Sequence, residues 1–137
     1  MTEPELIQIL KTAGDVKEEY EQDYERIIRL RSLMTKMTTS YSSNPGKGSF
    51  EDKLTAQYCA LEELEAHCRE RQEAYAEALK QAIDIIEIAE TTAQRKVLKA
   101  KYIDCLKWDD IAKLANYSTM HCHRLHDRAI EFIAKKL

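Results

Sequence analysis

Between Lys107 and Arg128 the chain gathers cations, hydroxyls and imidazoles at helical spacing: Lys107, Lys113, Ser118, Thr119, His121, His123, Arg124 and Arg128. Their common chemistry is recognition of an anionic, hydrogen-bonding polymer. A guanidinium can bind guanine O6 and N7 bidentately, and hydroxyls and imidazoles can reach other base edges. Lysines and further arginines neutralise phosphates, which gives affinity without sequence information. If Cys122, Leu125 and Ala129 point inward, then Thr119, Met120, His121, His123, Arg124, Asp127 and Arg128 lie on the opposite face. The expected division sends Thr119, His121, His123 and Arg124 toward bases, with Arg124 foremost. Lys107, Lys113 and Arg128 go to phosphates, and Ser118 adds a contact at the helix start. For Arg128 the competing use is an ion pair with Asp127 or Glu131 on the same helix.

Two helices and a tight turn are needed to hold these groups. Counting from Trp108, Ile111 points into the angle between the helices, and Ala112 is small enough for the second helix to cross closely. Asn116 falls in the turn at a position expected to need positive φ, which Asn tolerates best after Gly. Ser118 is a suitable N-cap for the second helix. Tyr117, Cys122 and Leu125 are expected to return to the core. The stretch Tyr102–Ile130 thus reads as a helix-turn-helix whose second helix can enter a DNA groove.

The same residues resemble a known family. Tyr102-Ile103-Asp104, Leu106, Trp108, Ile111-Ala112, Tyr117-Ser118, Arg124-Leu125-His126 and Arg128-Ala129 are similar to the region-4 module of sigma factors. The resemblance is in particular to the small phage-borne regulators of the ArpU/RinA type, which carry that module alone, and it covers Thr92 to Leu137. It implies a phage or prophage transcriptional regulator acting at promoters, with RNA polymerase as a further partner. Two positions depart from the family: Cys105, where Gly is usual, and Lys107, where Ser is usual. They bear on the turn and the cap, and Asp109 and Asp110 partly replace the lost Ser cap through the helix dipole.

Other chemistries are weaker. His121, Cys122, His123 and His126 suggest zinc, but Cys122 faces the core in this register and no second ligand cluster accompanies them. Glu62, Glu63, Glu65 and His67 bring carboxylates near an imidazole without forming a Glu-x-x-His pair, and read as a solvated helix face. No phosphate-cradling glycine loop or nucleophile elbow is present. The expectation is a non-enzyme with no metal and no cofactor.

Composition agrees with a helical chain. One third of the 137 residues are charged (33%) and only five are Gly or Pro (three and two). The net charge of −3 is uneven: from Thr91 onward ten Lys/Arg face five Asp/Glu, a local +5, leaving −8 on the rest. A basic end holding three of the four histidines, joined to an acidic remainder, suits DNA binding through one end. No apolar run approaches a membrane span and no leader pattern opens the chain. Cys59, Cys68, Cys105 and Cys122 are scattered without a Cys-x-x-Cys pair, which favours structural thiols in a reducing, cytoplasmic setting.

The expected elements follow from caps and periodicity. Thr2 and Glu5 have capping-box spacing. Gly14 either sits inside one helix or separates a short helix from a second start at Asp15. Val16, Tyr20, Ile27, Leu30, Met34 and Met37 form an apolar seam interrupted by Asp23, with Tyr24 and Ile28 widening it. Thr39–Gly48 reads as a loop. A long helix over Phe50–Ala89 repeats the pattern through Leu54, Leu61, Leu64, Cys68, Tyr75 and Ala82, interrupted by Arg71. Thr91 caps a helix over Ala93–Asp104, followed by helices over Trp108–Ala115 and Thr119–Lys136.

The expected fold is all-α: a long antiparallel, coiled-coil-like helical arm (1–90) followed by a three-helix helix-turn-helix domain (91–137). The expected function is sequence-specific binding of double-stranded DNA by a transcriptional regulator. A homodimer through the N-terminal arm would read two half-sites, and residues 91–137 alone are expected to retain weak binding. The alternatives are a phage terminase small subunit, marked by ring assembly, and a non-DNA coiled-coil adaptor, marked by salt-insensitive binding.

Overall fold

Thr2 and Glu5 close a reciprocal cap: the Thr2 N–H donates to Glu5 Oε2 at 3.0 Å and the Glu5 N–H donates to Thr2 Oγ1 at 3.4 Å. These bonds hold the Glu5 carboxyl below its ordinary pKa. From this start the computed structural model, which describes residues 1–43 and 49–137, is all-α. Among the described residues it has no strand and five α-helices: α1 (Glu3–Ser43), α2 (Ser49–Ile86), α3 (Thr92–Leu98), α4 (Trp108–Ala115) and α5 (Thr119–Lys136). A π-helical turn, Lys99–Ile103, follows α3. No helix among them is long and apolar enough to cross a membrane.

One of the two alternatives at Gly14 is realised, and two other boundaries differ from expectation. Gly14 does not divide α1, which runs through it unbroken. A helical Gly costs about 1 kcal/mol relative to Ala, but a Cβ there would lie 3.3 Å from Cys105 Sγ. The absence of a side chain thus gives Cys105 room. The first part of the loop expected at Thr39–Gly48 is helical, because α1 continues to Ser43. The hydroxyls of Thr35, Thr38 and Thr39 each donate to the carbonyl four residues back, which satisfies them inside the helix. Residues 44–48 lie outside the described residues. Finally, the helix expected over Ala93–Asp104 is α-helical only to Leu98, then widens to i−5 bonding, with the Asp104 N–H donating to Lys99 O at 3.0 Å.

Contacts divide the chain into two compact units, one of Met1–Lys17 with Ala74–Leu137 and one of Glu18–Glu73. The sequence boundary at 90/91 followed the Thr91 cap signal and the change of charge, whereas the contact division groups Met1–Lys17 with Ala74–Leu137. In the first unit, Leu6, Leu10 and Ala13 of α1 share one core with Ala82, Ile85 and Ile86 of α2, Leu98, Tyr102, and Ala129, Ile130 and Ile133 of α5. Leu6 and Leu10 are fully buried there, worth roughly 1.5–3 kcal/mol each by apolar transfer. A second, smaller core joins α3, α4 and α5 through Val97, Ala100, Ile111, Cys122 and Leu125.

In the second unit α1 and α2 run antiparallel, since Arg31 pairs with Glu65 (2.7 Å) and Asp23 with Arg71 (3.2 Å). Ile27, Met34 and Cys68 are buried along this seam. Asp23 and Arg71, the two polar interruptions of the apolar pattern, therefore meet each other. Asp23 is only 3% exposed and also accepts from Arg26 at 3.1 Å. Its Oδ2 lies within ion-pair distance of Arg71 without hydrogen-bond alignment. Burial, and then the Asp23 charge, push the Cys68 thiol pKa up. Tyr24 and Ile28, expected to widen the seam, are instead about half exposed, at 52% and 51%. All four cysteines are free thiols; Cys59 and Cys105 are exposed, and Cys68 and Cys122 are buried.

Candidate nucleic-acid interface

The residues that hold α4 and α5 are the short-range ones. Asn116 caps α4 in the left-handed region (φ 56, ψ 38), and the Tyr117 N–H donates back to Ala112 O at 3.1 Å. Ser118 is extended and its Oγ accepts from the His121 N–H at 3.1 Å, starting α5. Upstream, Thr91 Oγ1 accepts from the Gln94 N–H at 3.2 Å and starts α3. Cys105, at φ 56, is the other non-glycine residue with positive φ among the described residues. A non-glycine residue held in that left-handed region carries strain of about 1–2 kcal/mol. Lys107 caps α4 with no side-chain bond.

Inward positions are occupied largely as the spacing requires: Ile111, Cys122, Leu125, Ala129 and Ile133 are buried. Burial pushes the Cys122 thiol pKa up. Tyr117 is a correction. It is 42% exposed rather than in the core, its ring meeting His121 edge-on at 4.6 Å between centroids. The left-handed Asn116 followed by extended Ser118 carries Tyr117 around the outside of the turn.

The histidines divide between an exposed ring and a buried one. His123 is exposed but lies against the Trp108 indole, with centroids 3.9 Å apart, so packing already engages one face of its ring. His126 is buried, with Nε2 2.6 Å from the Tyr102 hydroxyl and Nδ1 3.0 Å from Asp127 Oδ1. An ionised carboxylate only accepts, so Nδ1 carries the hydrogen and Nε2 accepts from Tyr102. Burial lowers the His126 pKa; the bond to Asp127 opposes this, and His123 and Lys101 add to it. Burial, and then the charge of Asp127, push Tyr102 up to about 12. The inward position of His126 was present in the sequence as its i+4 relation to Cys122 and i−3 relation to Ala129. Cys122 is buried while His121 and His123 are occupied by Tyr117 and Trp108, so these three do not converge. Among the described residues no group of three or more His, Cys, Asp or Glu is placed to hold a metal ion.

The cations separate into engaged and unengaged groups. Lys99 and Arg95 approach Glu87 at 2.7 and 4.0 Å, which lowers the Glu87 pKa. Lys135 pairs with Glu131 at 2.9 Å, and Lys101 lies 5.0 Å from the Trp108 ring centroid. Lys107, Lys113, Arg124 and Arg128 are exposed and have no ion pair among the described residues. The competing use of Arg128 does not occur, because Asp127 is bonded to His126 and Glu131 to Lys135. Arg124 instead donates to Met120 Sδ at 3.5 Å. Thr119 and His121 are half-buried in the first turn of α5, and the Ser118 oxygen serves the cap. No protein-family model, no curated protein and no solved structure matches the chain.

Proposed function

We propose that the chain is a sequence-specific double-stranded DNA-binding transcriptional regulator, similar to the phage ArpU/RinA type, with α4 and α5 acting as a helix-turn-helix. The observation that carries this reading is that exposed cations without acidic partners among the described residues fall on both helices: Arg124 and Arg128 on α5, with Lys107 and Lys113 on either end of α4. The first two turns of α5 enter the major groove, Arg124 reads guanine, and Arg128, Lys107 and Lys113 contact phosphates. A homodimer formed through residues 18–73 would read two half-sites, and the exposed Tyr24 and Ile28, one turn apart on α1, suit that role.

Titration of duplex DNA at rising salt tests the reading. Each phosphate contact adds about −0.9 to the slope of log affinity against log salt, so Lys107, Lys113 and Arg128 give roughly −2.7 per protomer. Lys113→Gln should reduce the slope by about one. A salt-independent interaction, or none, would contradict DNA binding and favour an adaptor that binds protein.

A further inference from the structure

Opposite its buried side, α5 presents one stripe at helical spacing: Met120, Arg124, Asp127 and Glu131. Met120 is 65% exposed, more than any other exposed large apolar side chain among the described residues. Single exposed apolar residues are ordinary, but Met120 does not stand alone. The guanidinium of Arg124 lies 3.5 Å from its sulfur, so thioether and cation form one continuous surface. Asp127 and Glu131 end that surface with negative charge, which confines base contacts to the first turn and a half of the helix.

We infer that Met120 is a specificity-determining residue that packs against the 5-methyl group of a thymine beside the guanine read by Arg124. The inference rests on the DNA-binding reading above. Arg124 beside Met120 has no acidic partner among the described residues and complements a polyanion, and the thymine methyl is the one apolar group that base edges present in the major groove. A surface that is apolar at Met120 and cationic at Arg124 therefore matches thymine next to guanine. One helical turn advances about 5.4 Å and one base step roughly 3.4 Å, so the two bases lie within two steps of each other.

The test uses the full chain and the motif it selects from random duplexes. Each thymine of that motif is replaced in turn by uracil, which removes only the methyl group. Wild type should weaken about fourfold at one thymine, within two steps of the guanine whose recognition needs Arg124; the size is that of transferring one methyl group. Met120→Ala, an exposed change to a good helix former, should bind thymine and uracil duplexes equally. A motif without such a thymine, or an equal uracil effect in both proteins, would overturn the inference and leave DNA binding standing. No selected motif at all would overturn both.

Discussion

The Tyr102 hydroxyl lies 2.6 Å from His126 Nε2, joining the π-helical turn to the inward face of α5 through a buried polar contact. Tyr102→Phe removes the donor and leaves a buried ring nitrogen unsatisfied, which should cost about 1–3 kcal/mol. Urea unfolding followed through the fluorescence of Trp108 would measure this. A loss below a few tenths of a kcal/mol would show the contact to be dispensable.

The same contact has a pH signature. Burial depresses the His126 pKa in the folded state below its ordinary value of 6.5, so the unfolded chain binds the proton more readily. Stability from this group is fully present above about pH 6.5 and is lost as pH falls through the lower folded value. Unfolding free energy should therefore decline as pH falls below about 6.5, before ordinary carboxylates titrate. The decline should be shallower in the double variant Tyr102→Phe/His126→Leu. Parallel slopes in the two proteins would contradict this assignment.

Gly14 and Cys105 are coupled. Cys105→Gly relieves the left-handed conformation and should stabilise by about 1 kcal/mol. It also removes the sulfur that a Cβ at position 14 would meet at 3.3 Å. Gly14→Ala should then gain nearly the full helix-propensity difference of about 1 kcal/mol in the Cys105→Gly background, and less in the wild type. Equal gains in both backgrounds, from a double-mutant cycle, would refute the coupling.

What could be read from sequence and what could not divide by range. The caps at Thr2, Thr91 and Ser118 and the positive φ of Asn116 were legible because each depends on a few adjacent residues. The all-α class and the inward placement of Ile111, Cys122 and Leu125 were legible from periodicity. The polar partner of His126 was not, because Tyr102 lies 24 residues away. Nor was the core shared by Leu6, Leu10 and Ala13 with Ile130 and Ile133, since an apolar spacing shows that a face is buried without naming its partner. Asp23 and Arg71 each looked like a defect in a seam, and only the antiparallel register reveals that they pair. At the candidate interface the outward face was legible, but the stacking of His123 on Trp108 and the sequestering of Asp127 and Glu131 needed coordinates.

That shared core revises one expectation. Residues 91–137 alone would lose Leu6, Leu10, Ala13, Ala82, Ile85 and Ile86 and expose the face of α5 that packs on them. The fragment should show reduced helicity by circular dichroism, no cooperative thermal transition, and little DNA binding. A cooperatively folded fragment would mean that the smaller core of Val97, Ala100, Ile111, Cys122 and Leu125 suffices.

The most direct measurement is selection of bound sequences from random double-stranded DNA by the full chain, at moderate and high salt, with Arg124→Ala in parallel. Arg124 is exposed and has no acidic partner among the described residues, so the substitution should leave helicity and assembly unchanged. The expected result is an enriched motif containing guanine that high salt weakens and Arg124→Ala abolishes; a palindrome would add the dimer. No enrichment, or the same motif bound equally well by Arg124→Ala, would contradict α5 as the surface that reads DNA.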